Sequence, residues 1–364
     1  MEMQRKNRIY GLVGSILLAA GLLLLFFAKT HPVFAQWYST HIYPLWVNSL
    51  GRLTGIFPFS VVELLLYVTI AAVAVTGGVL AAGVCRKKKG KTEVCGWLSR
   101  ILLLAGALLF LYAVNCGINY HRASFAETAG LQVREYSEEE LKEVCLWLTE
   151  EVNARSDQVT RDAEVVMQLS EGERKEAVRA MQKLGDIYPE MAGYYPQPKG
   201  LIFPAILSVQ NLTGVYSPFT IEANYNSAIT DYNIPFTMCH ELSHLRGFMQ
   251  EQEANFIAYL ACMHSESMEF QYSGSLLGWI YCMNVLYKTD YEVWEEVRAN
   301  LSPEAEADLQ ANREFWNRYD GVVAEVSNKV NDTYLKANGQ ADGVKSYDRM
   351  VDLLVVYYED EIAD

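Results

Sequence analysis

The residues His240-Glu241-Leu242-Ser243-His244 bring two imidazoles and a carboxylate into five consecutive positions. On a helix, residues four apart lie on one face, so the two histidines can present their rings to a single zinc ion. Glu241, beside them, can hold a metal-bound water and accept its proton, since zinc lowers the pKa of water from about 15.7 to about 7. With 6 histidines in 364 residues, the pattern arises by chance in roughly one such chain per hundred. Asn233 followed by Pro235 marks the helix start that would carry the motif.

A hydrolytic zinc site takes three protein ligands and keeps a fourth position open. Glu251 and Glu253 follow the motif. On one unbroken helix Glu251 would share the histidine face yet stand about 16 Å from His240, out of reach of the ion. Gly247 offers the break: a left-handed glycine ends the first helix, and a second helix starting near Met249 presents Glu251 back to the metal. Asn255 lies one turn further on the same face, placed to hydrogen-bond a ligand imidazole. Glu253 points about 200° away around that helix and is the weaker candidate.

The elements that must position these residues are mainly helical, with a small sheet. Ser137 ahead of Glu138, Glu139 and Glu140 reads as a capping box. It opens a helix to about Ala154, with Leu141, Val144, Cys145, Trp147, Leu148 and Val152 as its apolar stripe. A second helix is expected from near Ser170 to Leu184-Gly185, then a loop from Tyr188 to Gly200. Phe219, Ile221, Ala223 and Tyr225 alternate with polar residues, the period of a strand over Phe219–Asn226. Long helices follow from Pro235, with breaks expected at Gly247, around Asp290 and in Asn331–Ser346, and a packed final helix at Met350–Tyr358.

Charge divides the chain. The first 121 residues hold 11 Lys/Arg against 3 Asp/Glu, and residues 122–364 hold 19 against 41, a net −22 that repels phosphate backbones and excludes nucleic acid as a partner. The uncharged apolar runs 9–28, 64–85 and 101–120 are each long enough to cross a hydrocarbon layer about 30 Å thick. Residues 1–121 are therefore expected to lie in a lipid bilayer and 122–364 to form a separate domain. Basic residues stay in the cytoplasm. Arg5, Lys6 and Arg8, with Arg86, Lys87, Lys88, Lys89 and Lys91, thus predict a cytoplasmic N-terminus and an exoplasmic C-terminal domain in a multi-pass protein of the cell membrane. Val33-Phe34-Ala35 has the form of a leader cleavage site, but the preceding run is long for a leader, and retention is expected. The seven cysteines form no Cys-x-x-Cys pair and are expected to be mostly buried, with one disulfide among Cys145, Cys239, Cys262 and Cys282 left open.

The chain resembles domain of unknown function family 3810, bacterial membrane proteins grouped with zincin-type metallopeptidases for their HExxH motif. The resemblance runs through Phe57-Pro58-Phe59-Ser60, Gly117-Ile118-Asn119-Tyr120, Pro218 to Asn224, Ile234-Pro235-Phe236-Thr237, the HExxH, Arg246-Gly247-Phe248 and Glu251 to Ala258. It continues in Val330-Asn331-Asp332, Lys336-Ala337-Asn338-Gly339 and Ser346-Tyr347. It implies an α+β zincin-like, gluzincin-type domain holding Zn2+ on His240, His244 and Glu251. Glu251-x-x-Ala254-Asn255 is similar to the Glu-x-x-Ala-Asp element of other membrane zinc proteases, with Asn in place of Asp. Gln250 stands where a metzincin has its third histidine. Zincins place an edge strand before the active helix. Phe219–Asn226 is the expected one, with Glu222, Asn224 and Asn226 on one face lining the cleft.

These readings lead to a membrane-anchored zinc metallopeptidase that acts on peptides or proteins of the cell envelope, with Glu241 as general base. The alternatives are a non-catalytic zinc-binding envelope or sensor protein on the same scaffold, and a zinc amidase acting on cell-wall peptides. Arg246, His264, Tyr334, Tyr347 and Arg349 are the available oxyanion stabilisers, none singled out by spacing. Substrate, cleavage preference and oligomeric state are not encoded in any motif.

Overall fold

The computed structural model describes residues 2–338, 340 and 349–363. The chain divides into two units, one reaching to Arg122 and taking in Ser217–Glu222, the other built from Ala123–Tyr216 and the chain from Ala223 onward.

In the first unit α1 (Glu2–Thr30) leads through α2 (Pro32–His41), α3 (Tyr43–Trp46), a π-helical turn (Val47–Gly51) and α4 (Arg52–Gly55) to α5 (Val61–Cys85) and α6 (Lys91–Tyr112). Glu2–Thr30, Val61–Cys85 and the run Lys91–His121 are long and apolar enough to cross a membrane. The third begins ten residues before the apolar run that announces it, because Thr92, Glu93 and Arg100 are accommodated on the same helix. Small residues let α1 and α6 meet backbone to backbone. A Cβ on Gly14 would lie 2.7 Å from the Leu103 nitrogen, and one on Gly106 would run into the Gly14 carbonyl oxygen. At one end of this seam Asn7 donates to the Thr92 carbonyl at 3.0 Å.

The second unit opens with α7 (Phe125–Ala129), α8 (Glu138–Ser156) and α9 (Glu173–Ile187). The expected capping box forms: Ser137 Oγ accepts from the Glu140 amide at 3.2 Å, and Glu140 accepts from the Ser137 amide at 2.6 Å. Leu141, Val144, Cys145, Leu148 and Val152 are buried as expected, whereas Trp147 stays half-buried beside the Tyr358 ring. The loop after α8 is tied down by Asp308, which is fully buried and accepts from Arg161 at 2.9 Å, Tyr272 at 2.6 Å and the Met167 amide at 2.7 Å. Its charge is thereby neutralised and its acceptors filled, as a buried carboxylate requires.

Strand β1 (Lys199–Gly200), α10 (Ala205–Ser208), β2 (Gly214–Ser217) and β3 (Glu222–Tyr225) follow. The sheet order is β1-β3-β2, with β1 parallel to β3 and Lys199 opposite Asn224. Two expectations are corrected here. The strand is four residues long, because Ile221 takes a φ of 53° and its amide turns back to the Ser217 carbonyl at 2.8 Å. It is also the central strand, and all four of its residues are buried, so the alternation does not mark an exposed edge.

Helices α11 (Asn233–Leu245), α12 (Glu251–Met263), α13 (Met268–Thr289), α14 (Tyr291–Arg298), α15 (Pro303–Asn317), α16 (Val322–Ala337) and α17 (Met350–Ala363) complete the unit. The breaks at Gly247 and Asp290 occur, the latter with Asp290 accepting from the Val293 amide at 3.0 Å. A further break falls at Ser302, which caps α15 with Pro303 at its first position. Asn331 and Asp332 lie inside α16, so the break begins only at Asn338; Gly339, Ser346 and Tyr347 fall outside the described residues. Cys145, Cys239, Cys262 and Cys282 are buried, in thiol contacts that pair Cys239 with Cys262 and Cys145 with Cys282. Cys116 is buried as well and Cys85 and Cys95 are exposed, so the cysteines are mostly buried, as expected.

The close α1–α6 seam generates a test. Gly106→Val should force the helices apart and lower stability by about 1–3 kcal/mol, read as a reduced melting temperature of the full chain in detergent. An unchanged melting temperature would show that the seam does not hold these helices together.

Candidate metal centre

Helix α11 is buried along nearly its whole length, and its last turns carry His240, Glu241 and His244. Its ending determines the site. The Gly247 amide donates to the His244 carbonyl at 2.9 Å and the Phe248 amide to the Ser243 carbonyl at 3.2 Å, with Gly247 at a φ of 97° between them. This is the paired-hydrogen-bond helix stop in which the left-handed residue is almost always glycine. The chain then crosses Met249 and Gln250, and α12 starts at Glu251 itself.

That reversal places the Glu251 carboxylate against both imidazoles. Its oxygens lie 3.3 Å from His240 Nε2 and 3.7 Å from His244 Nε2. One donor atom from each of the three residues falls within 4.8 Å of the others, a group that could hold a metal ion. Tetrahedral ligands at zinc-like bond lengths stand about 3.4 Å apart, close to these separations.

The far side of each ring is also engaged. His244 Nδ1 lies 2.8 Å from the Phe248 carbonyl. A carbonyl only accepts, so Nδ1 carries the hydrogen and the neutral ring keeps its Nε2 lone pair for a metal. His240 Nδ1 meets Asn255 Oδ1 at 2.7 Å and is oriented the same way. Burial alone would discharge His244, but the Glu251 carboxylate outweighs it and raises its pKa to about 9. Burial likewise opposes ionisation of Glu251, and the two imidazoles reverse that, holding the carboxyl well below its ordinary range.

Glu241 is buried and not part of the ligand group. Burial, partly offset by the neighbouring imidazoles, raises its pKa to about 7. The Tyr216 amide on β2 donates to its carboxylate. Its Oε2 atom has no hydrogen-bond partner among the described residues. A buried acceptor of this kind is costly unless something absent from the chain meets it. Gly214, also on β2, makes room for the carboxylate: a Cβ there would lie 2.5 Å from Glu241 Oε1. Neither Gly214 nor the Tyr216 amide was singled out from the sequence. The only available signal was a glycine beginning a short strand, which marks a close approach.

Of the expected site residues, the fold brings together His240, Glu241, His244, Glu251 and Asn255. Glu222 and Asn224 do not line a cleft beside them. Glu222 belongs to the first unit, where its carboxylate oxygens accept the backbone amides of Val61 at 3.1 Å and Val62 at 2.9 Å. Asn224 is buried and donates to the Val215 carbonyl at 3.2 Å, tying β3 to β2. Asn226 donates to Ser208 Oγ at 2.9 Å. Glu253 turns the other way from Glu251 and accepts the Phe125 amide at 2.6 Å. Arg246 is directed at the carbonyls of Glu190 and Ala192. Arg349 is exposed, and Tyr347 lies outside the described residues.

A family described as protein of unknown function (DUF3810) matches the chain over residues 38–355. No curated protein and no solved structure matches it.

The helix stop supplies a stability test. Gly247→Ala places a Cβ at a φ of 97° and should lower the unfolding free energy by about 1–2 kcal/mol, measured by denaturant titration. Unchanged stability would show that the backbone at 247 tolerates a side chain and does not enforce the reversal.

Proposed function

We propose that this chain, which belongs to the DUF3810 family of proteins of unknown function, is a membrane-anchored zinc metallopeptidase with a zincin-like, gluzincin-type domain. Its exoplasmic site hydrolyses peptide bonds in substrates of the cell envelope. The observation that carries this reading is the convergence of two imidazoles and one carboxylate beside a buried carboxylate with a free acceptor atom. A structural zinc would be closed by a fourth protein ligand, and no fourth His, Cys, Asp or Glu joins the group among the described residues.

His240, His244 and Glu251 would hold the ion, with Asn255 and the Phe248 carbonyl fixing the two rings. When bound, zinc supplies Lewis acidity that polarises the scissile carbonyl and acidifies water. Glu241 takes the proton of the attacking water and delivers it to the leaving amine. Gly214 and the Tyr216 amide keep that carboxylate in place. Orientation follows from the basic turn at 86–91 between the second and third apolar helices and from the basic N-terminal tail, both placed in the cytoplasm.

Elemental analysis of the full chain should find about one zinc per molecule, lost in His240→Ala and kept in Glu241→Gln. Native protein should cleave members of a peptide library, and Glu241→Gln should not. Absence of zinc, or equal turnover by Glu241→Gln, would overturn the reading. Zinc held without any turnover would favour a non-catalytic envelope protein, and turnover confined to cell-wall peptides an amidase.

Asn255→Ala should weaken metal affinity about 10- to 100-fold, read by chelator competition, with Asn255→Asp restoring most of it. Equal affinity in Asn255→Ala would remove the imidazole–amide contact from the metal site. Cys85 and Cys95 are the exposed thiols. A membrane-impermeant maleimide should label them only after the cells are permeabilised. Labelling of intact cells would reverse the orientation.

A further inference from the structure

We infer that Phe125 is a positioning residue for the candidate metal centre: its ring and its amide hold the α11–α12 reversal in the geometry that brings His240, His244 and Glu251 together. This inference rests on the reading of those three residues as metal ligands, and every residue it uses belongs to the second unit.

Phe125 is the first residue of α7, a five-residue helix closed at both ends. Ser124 Oγ accepts the Glu127 amide at 3.1 Å, Glu127 accepts the Ser124 amide at 2.9 Å, and Gly130 ends the helix at a φ of 76°. A first-turn amide has no acceptor within its own helix. That of Phe125 donates to Glu253 Oε1 at 2.6 Å, a contact between residues 128 positions apart. Glu253 is buried in the first turn of α12, two residues after Glu251 and two before Asn255. Its negative charge is favoured at the start of that helix. Its hold on α7 fixes the turn that carries Glu251.

The ring of Phe125 is fully buried among three aromatic neighbours. Its centroid lies 5.6 Å from that of Phe248 with the planes at 86°, 6.2 Å from Phe256 at 58°, and 5.2 Å from Tyr188, at the end of α9, at 62°. Edge-on pairs at such separations attract beyond the burial of area. Phe248 and Phe256 are fully buried too, and each adjoins a group that orients an imidazole. The carbonyl of Phe248 itself meets His244 Nδ1 at 2.8 Å. Phe256 follows Asn255, whose Oδ1 meets His240 Nδ1 at 2.7 Å. Phe125 thus packs on the residue that sets one ring, on the neighbour of the residue that sets the other, and through Glu253 on the turn that carries the carboxylate. Gly247 permits the reversal; these contacts fix where α12 lies after it.

The test uses the full-length chain in detergent, as native protein and as Phe125→Leu, Glu253→Ala and Glu253→Gln. Phe315→Leu, at a buried ring of α15 that packs on Trp316 and Tyr319, is the control outside this cluster. Zinc affinity is read by chelator competition, ligand geometry by the visible spectrum of the cobalt-loaded protein, and the reversal by hydrogen exchange at Gly247 and Phe248. Phe125→Leu and Glu253→Ala should weaken zinc binding about tenfold, shift the cobalt bands, and speed exchange at both amides by on the order of tenfold. Glu253→Gln keeps an acceptor for the Phe125 amide and should restore most of the affinity. Phe315→Leu should lower the melting temperature with affinity and spectrum unchanged. Native affinity, bands and exchange in a folded Phe125→Leu overturn the proposal, as does an equal loss of affinity in Phe315→Leu, which would reduce the effect to general stability. Failure of the metal reading looks different: native protein then takes up neither zinc nor cobalt. Exchange at Gly247 and Phe248 in Phe125→Leu then decides by itself whether the ring holds the reversal, an unchanged rate overturning the proposal. If Phe125→Leu does not accumulate, Glu253→Ala against Glu253→Gln is read by the same measurements with the same expected directions.

Discussion

The reversal of the chain at Gly247 is the constraint on which the candidate centre depends. Glu251 stands eleven positions beyond His240, a distance along a continuous helix that no side chain spans. The left-handed glycine folds α12 back along α11, so that the carboxylate faces the two Nε2 atoms. The same turn sets the Phe248 carbonyl behind His244, and the following helix sets Asn255 behind His240. One backbone conformation therefore supplies the acidic third member of the group and both ring orientations. Residues four apart on α12 do the two jobs: Glu251 in front of the rings and Asn255 behind one of them.

Around this centre the charges balance locally. Glu251 is ionised because two imidazoles face it, and His244 holds a proton more tightly because Glu251 faces it. Glu241 shares in that neutralisation only in part, because burial outweighs the two imidazoles there. It is buried with a single backbone donor from β2 and one acceptor atom unmet, and its carboxyl is the one pushed toward neutral pH. The small sheet contributes to the centre through main chain rather than side chains. Gly214 provides space and Tyr216 an amide, while the side chains of Asn224 and Asn226 join β3 to its neighbours.

Two parts of the fold obey different rules. The apolar N-terminal helices associate through glycine, with backbone against backbone, and satisfy polar groups such as Asn7 on carbonyls. The remainder packs through side chains and neutralises its buried charges, as Asp308 does with Arg161 and Tyr272. Within the first unit, the free amides at the start of α5 and the carboxylate of Glu222 satisfy each other.

The sequence alone determined whatever depends on local spacing. The histidines at i and i+4, the apolar runs, the capping box at Ser137 and the glycine stop at 247 are all properties of a few neighbouring residues, and each appears in the fold at or near its expected place. Glu251 and Asn255 were legible for the same reason, once the stop made two helices of one. The roles of Glu222, Gly214, Tyr216 and Glu253 were not legible, because each acts on a residue from 25 to more than 100 positions away. An alternating pattern such as Phe219–Asn226 reports which side chains are apolar, not which strand will lie on either side. Here both faces and both edges of β3 are covered, so its polar residues are buried and hydrogen-bonded instead of lining a cleft. Only the tertiary structure could decide that, since burial of a polar side chain depends on a partner that the local sequence does not contain.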